Sequence, residues 1–345
     1  MRTNHLEFHV GKLRYKYLKN MLKQYVSNLE KEDKRLILGS KIGEDAAVID
    51  MGDNCLVAKT DPITFATDEI GYYAVNVNVN DVVCMGATPK WFQSTILLPE
   101  KRTSEDLIEK IFKGIHDTCK SMNITVVGGH TEITHHLNRP IVIGSLLGEV
   151  EKDKLVKTSG AKSGDALILT KGIFIEGTSI IAREKENFLK EKGYDFQFIN
   201  RCKKYLHNPG ISVFKEALLA NKNFQINSMH DPTEGGLNTG IAEMGIASNL
   251  GVVIKKDKIK ILPEPLELSK VFNINPLGTI SSGSLLISIA KKNSLELIEL
   301  MKKNDIDAEI IGEFSNKEKE FFIVESNGQK NYLTYLEIDE ITKIF

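Results

Sequence analysis

Leu13, Tyr17, Leu18, Met21, Leu22, Tyr25, Val26 and Leu29 recur at three- and four-residue spacing, so the chain opens with an amphipathic helix. Ala46-Val48-Ile49 and Leu56-Val57-Ala58 flank Gly52-Asp53-Asn54 and read as short strands around a turn. The stretch "AVNVNVNDVVCMGATPK", Ala74 to Lys90, is ambiguous. Val75, Val77 and Val79 alternate with Asn76, Asn78 and Asn80 as in a half-buried strand, yet Asp68-Glu69 before it and Gly86 and Pro89 after it are helix start and stop signals. A second helix begins at Thr103, with Glu105 and Asp106 in its first turn and an apolar face of Leu107, Ile108, Ile111, Phe112, Ile115 and Cys119. Ile124–Val127 is a buried strand running into Gly128-Gly129, and Ile141–Val150 is another.

The polar, glycine-dotted run "EKDKLVKTSGAKSGD" then divides the chain, giving expected domains of residues 1–155 and 156–345. The second half predicts strands at Ala166–Thr170, Ile226–Met229, Val252–Ile254, Ser284–Ala290, Ala308–Ile311 and Phe321–Val324. Helices are expected near Gly177–Lys185, after Pro209, at Thr233–Ser248 and near Leu295–Lys303. Two α+β halves of similar size result, as a chain of 345 residues favours.

Composition narrows the field of functions. A net charge of −1, with Lys and Arg spread along the chain, offers no nucleic-acid surface. No apolar run approaches the roughly 18 residues of a membrane helix, and Met1–Val10 lacks the apolar core of a signal peptide. Cys55, Cys84, Cys119 and Cys202 are far apart and form no CxxC pair. They read as reduced, mostly packed thiols of a cytoplasmic protein.

Candidate chemistry lies in carboxylates placed at element ends. Asp45 in "GEDAAV", Asp61 in "KTDPI", Asp81 in "NVNDVV" and Asp231 in "HDPTEGGL" stand out, joined by Gly128, Gly129 and Glu132 in "VVGGHTE". Each alone reads as a cap or turn residue. Together they offer oxygen ligands to magnesium and bare backbone to phosphate oxygens. The P-loop, the dinucleotide fingerprint and the GxSxG elbow are all missing. His130, His135 and His136 lack HExxH spacing and read as solvated histidines.

The motifs "GEDAAVID", "KTDPI", "AVNVNVNDVVCMGATPKW", "VVGGHTE", "HDPTEGGL" and "SSGSLL", in this order from residue 39 to 290, resemble the aminoimidazole ribonucleotide synthase superfamily. Within it the chain looks closest to the hydrogenase-maturation HypE-like proteins. The resemblance implies a two-domain α+β fold, its N-terminal domain forming an intersubunit β-barrel in a homodimer and its C-terminal domain an α/β sandwich. It also implies ATP in a cleft, bridged by Mg²⁺ to Asp45, Asp61, Asp81 and Asp231. Gly128, Gly129 and Glu132 would lie by the phosphates, and Asn80 close to the nucleotide. The valine–asparagine stretch is then a helix. The implied reaction is phosphorylation of an amide or acid oxygen on a small-molecule or protein substrate. A non-catalytic ATP-binding scaffold and a thiamine-monophosphate-kinase-like enzyme are the alternatives.

Three departures bear on the reaction. HypE proteins end in a cysteine, whereas this sequence ends "EIDEITKIF" and has Cys202 as its last cysteine, so it is not expected to make the thiocyanate group itself. Selenophosphate synthetases carry a reactive Cys or selenocysteine in an N-terminal glycine-rich loop, and here no Cys precedes Cys55. Glu44-Asp45 stands where thiamine-monophosphate kinases generally show two aspartates.

Overall fold

The computed structural model describes residues 13, 15–40, 43–64, 66, 68–318, 320–333, 335 and 338–345. The expectations for Met1–Val10 and for Leu336 and Glu337 in the tail lie outside the described residues. The first half runs α1 (Tyr15–Tyr25), α2 (Ser27–Glu32), β1 (Leu36–Leu38), β2 (Ala47–Asp50), β3 (Asn54–Ile63), α3 (Ile70–Cys84), β4 (Thr88–Pro99), α4 (Glu105–Ser121), β5 (Thr125–Thr134) and β6 (Ile141–Glu151). The expected opening helix is thus two, parted at Val26.

These strands form one six-stranded sheet in the order β1-β2-β3-β6-β4-β5, antiparallel except for the β4–β5 pair. In β6 alternate residues Val142, Gly144, Leu146, Gly148 and Val150 are buried, as expected when one face is covered. Helix α3 covers that face, lying against β3 and β6, with α4 beside it. The sheet is open, with β1 and β5 at its edges. The barrel therefore finds no support within one chain, because strands of the same chain leave both edges unclosed.

The second half runs β7 (Asp165–Thr170), α5 (Ile175–Glu184), α6 (Glu186–Glu191), α7 (Phe196–Lys204), α8 (Phe214–Asn223), β8 (Ser228–His230), α9 (Gly236–Ser248), β9 (Gly251–Lys255), α10 (Pro263–Val271), β10 (Leu286–Ala290), α11 (Ser294–Lys303), β11 (Ala308–Ser315), β12 (Phe321–Val324) and β13 (Lys330–Tyr332). Its sheet has the order β13-β12-β9-β11-β7-β10-β8. The architecture is α+β with two mixed sheets. One apolar cluster spans both halves: Val79, Val82 and Val83 of α3 share it with Leu206, Ile211, Val213, Ala217 and Met229. A second cluster, including Leu167, Ile181, Ile241 and Ile254, lies within the second half. Among the described residues no helix is long and apolar enough to cross a membrane.

Helix α3 explains why its sequence reads two ways. All of its residues except Tyr72 and Val77 are buried, so it has no solvent face to impose a helical period. The asparagines are tolerated because each side-chain amide donates to a backbone carbonyl, although Asn76 Oδ1 is left without a partner. Asn76 Nδ2 donates to Tyr72 O, Asn78 Nδ2 donates to Ala74 O, and Asn78 Oδ1 accepts from Asp61 N. Gly86 ends the helix in the left-handed region (φ 76°), where a Cβ would also meet Lys154 O at 2.5 Å.

Candidate functional site

Three carboxylates from separate elements, two of them buried and Asp45 half-buried, meet where the halves join. Asp45 precedes β2, Asp81 lies in the last turn of α3, and Asp231 follows β8. Asp81 and Asp231 are only 6% and 2% exposed. Among the described residues, ligand atoms of Asp45, Cys84 and Asp231 all lie within 4.8 Å of one another. The Lys59 ammonium is 2.9 Å from Asp81 Oδ2 and 3.2 Å from Asp61 Oδ2. His230 bridges Asp45 and Glu243, at 3.0 Å through Nδ1 and 3.1 Å through Nε2.

The charges oppose one another as burial demands. Burial pushes the Asp231 carboxyl up to about 7, and Asp45 adds to this, while His230 and Lys59 pull the other way. Asp81 is also raised well above its ordinary value, first by burial, with Asp231, Asp61 and Asp45 reinforcing it against Lys59. For Asp45 burial again acts upward, but the His230 charge and hydrogen bond, with Lys59 and Thr158, hold it below its ordinary value. Burial would lower Lys59, yet Asp81, Asp61 and Asp45 raise it, so it is a fixed cation among carboxylates.

Two oxygens test whether a cation fits. Asp231 Oδ2 is buried without a hydrogen-bond partner, and Asp81 Oδ2 has the Lys59 charge beside it without an aligned hydrogen bond. A buried carboxylate oxygen without a partner, as at Asp231, is costly unless something electropositive approaches it. The donor set is rich in oxygen and negatively charged, which suits a divalent ion.

Of the other expected site residues, only Asp61 lies beside the cluster. Asp61 is tied to the cluster through Lys59 and Asn78. Asn80, expected near the nucleotide, has both ends of its amide engaged: Nδ2 donates to Ile211 O and Oδ1 accepts from Val213 N. It therefore joins the halves and is wholly buried. Gly128, Gly129 and Glu132 are exposed on the edge strand β5 and are not brought to the carboxylates. Sheet register puts Asp61, Gly144, Ser94 and Gly129 in one row, three strand spacings or roughly 14 Å across. The two glycines have an architectural reason: β5 carries one extra residue opposite Phe92 and Gln93, both glycines have positive φ, and a Cβ on Gly129 would come within 2.1 Å of Ser94 O. His130 pairs with Glu132, and His135 with Glu100, all exposed.

Sequence reasoning missed Lys59, His230 and Cys84. Lys59 is two residues from Asp61 on β3, hence on the same face, and Cys84 is three from Asp81 on α3, hence on the same side. These spacings were the available signals. Glu44 is a separate device: its carboxylate accepts from Thr158 N and Ser159 Oγ, clamping the first motif to the start of the second half.

Residues 43–150 match the family model "AIR synthase related protein, N-terminal domain", and residues 162–325 match the corresponding C-terminal domain. The chain belongs to the AIR synthase related family. A protein of Methanocaldococcus jannaschii named for hydrogenase expression and formation is 30% identical to this AIR synthase related chain over 324 residues, covering 92% of it and 91% of the relative. Among solved structures, a chain of the HypE–HypF complex superposes with TM-score 0.74 at 21% identity, covering 92% of this chain and 98% of that one. ThiL solved with AMPPCP and TMP gives TM-score 0.70 at 21% identity, covering 94% and 97%. The fold is that of these solved neighbours.

Proposed function

We propose that this protein is an ATP-dependent enzyme that binds Mg-ATP at Asp45, Asp61, Asp81 and Asp231 and phosphorylates an amide or acid oxygen of its substrate. The observation that carries the reading is the convergence of carboxylates from both halves on one enclosed spot, where Asp231 Oδ2 lacks a hydrogen-bond partner. The AMPPCP of the ThiL structure and the ATP of a solved HypE structure support it. Bound magnesium would neutralise the carboxylates and polarise the terminal phosphate. Asp45, Asp81 and Asp231 hold the negative charge in place, and His230 fixes the orientation of Asp45. Lys59 offsets the repulsion while the site is free of metal.

We also propose that the protein acts as a homodimer. β5 is an exposed sheet edge carrying Val126, Val127 and Ile133 in water, and a second copy would cover it. Closure of the sheets into a barrel would require that copy.

Calorimetry tests the metal assignment. Asp81→Asn and Asp231→Asn are each expected to weaken Mg-dependent ATP binding by about tenfold or more, equivalent to roughly 1.4 kcal/mol, with unchanged circular dichroism. Unaltered affinity in both variants sinks the assignment. ADP release with candidate amides and acids, against a magnesium-free control, then separates an enzyme from a nucleotide-binding scaffold.

A further inference from the structure

Cys84 supplies the cluster with an atom that magnesium does not favour. It is wholly buried, on the last residue of α3, and its sulfur lies 3.9 Å from Asp231 Oδ1. That sulfur and the carboxylate oxygens of Asp45 and Asp231 lie within 4.8 Å of one another. Tetrahedral zinc, with bonds of about 2.3 Å to sulfur and about 2.0–2.2 Å to oxygen, holds such ligand atoms roughly 3.3–3.8 Å apart. The three atoms therefore need only a small contraction to enclose one ion. Asp231 Oδ2, buried and without a hydrogen-bond partner, is an independent sign of an acceptor left open at this spot. The outer contacts suit a metal as well. Asp45 is held by His230, whose other nitrogen meets Glu243, and such a relay orients a ligating carboxylate.

We propose that Asp45, Cys84 and Asp231 form a site for a thiophilic divalent cation of the zinc class, with the fourth position open. Hard magnesium prefers all-oxygen surroundings, whereas a thiolate selects softer ions. On binding, the Cys84 S–H bond breaks, the sulfur lone pair goes to the metal and the proton leaves to solvent, with no change of oxidation state. Asp45 and Asp231 are shared with the magnesium site proposed above, so the two ions compete. The inference rests on that reading only in taking the cluster as a cation site.

The probe is cadmium, titrated into the metal-free full chain. A thiolate-to-cadmium charge-transfer band should grow in the ultraviolet and saturate at about one ion per chain, with release of the Cys84 proton and, near neutral pH, of any proton still on Asp231. Cys84→Ala should lose the band and weaken cadmium binding on the order of tenfold or more. Cys84→Ser keeps the side-chain volume and should also lose the band, which guards against an alanine variant that does not fold. Cys202→Ala, altered in the second apolar cluster, should keep it. No band in the wild type, or an equal band in folded Cys84→Ser, overturns the proposal. Magnesium–ATP binding is measured on the wild type alone. If it is absent while the cadmium band is present, the nucleotide reading fails and the thiophilic site stands; the reverse result sinks the thiophilic site alone.

Discussion

A carboxyl group kept from water and from cations holds its proton, and Glu176 shows the cost of arranging several together. It is 6% exposed, Oε2 has no partner, and burial pushes it up to about 7, reinforced by Asp339, Glu234 and Asp231 against a hydrogen bond from Ser282. Its folded value exceeds the ordinary 4.5, so the native state binds more protons than the unfolded chain between about pH 4.5 and 7. This group's contribution is therefore favourable below that window and is lost as pH rises through it. Glu176→Gln is expected to stabilise the protein at pH 8 by up to about 3 kcal/mol, and by nothing below pH 4, in urea titrations at the two pH values. At this scale the sequence displayed part of the site. Asp45, Asp81 and Asp231 were recognisable because each is embedded in a motif at an element end. His230 was not, because what makes it notable is proximity to Asp45, 185 positions away, and Lys59 showed only its two-residue spacing from Asp61, not its contact with Asp81, 22 positions away.

At the scale of elements, α3 carries the argument, since one side of it presents Asp81 to the cluster and another presents Asn80 to the second half. Asn80→Ala should leave the buried Val213 N–H and Ile211 C=O unpaired and cost roughly 2–4 kcal/mol in chemical denaturation. A loss under 0.5 kcal/mol would mean that these groups find other partners. The alternation of Val and Asn concealed this helix because burial all round removes the polar stripe from which period is read. Other elements were legible where one face is wet. α4 begins at Glu105, capped by Ser104 accepting from Leu107 N, two residues from the expected Thr103. β4, Thr88–Pro99, escaped notice because Pro89 looked like a stop signal, and β5 was cut short at its glycines although the strand continues through them to Thr134.

For the whole molecule, the unprotected β5 edge makes assembly the decisive measurement. Sedimentation at micromolar concentration should give a particle near twice the 38.6 kDa chain mass, and Val127→Lys should shift it towards that of one chain. A wild-type monomer unaffected by ATP and Mg²⁺ would count against the dimer. The α+β class and the division into mixed halves could be read from alternating periodicities, but the shared core could not, because it depends on which faces meet. That shared core also affects biosynthesis. When α3 leaves the ribosome, the residues that complete its surroundings, 206–231, are still to be translated. The first half must wait with a valine-rich helix incompletely covered, a state prone to association and open to chaperones. A gene cut at residue 155 should therefore yield an aggregating fragment, and co-expression of the two pieces should recover soluble protein.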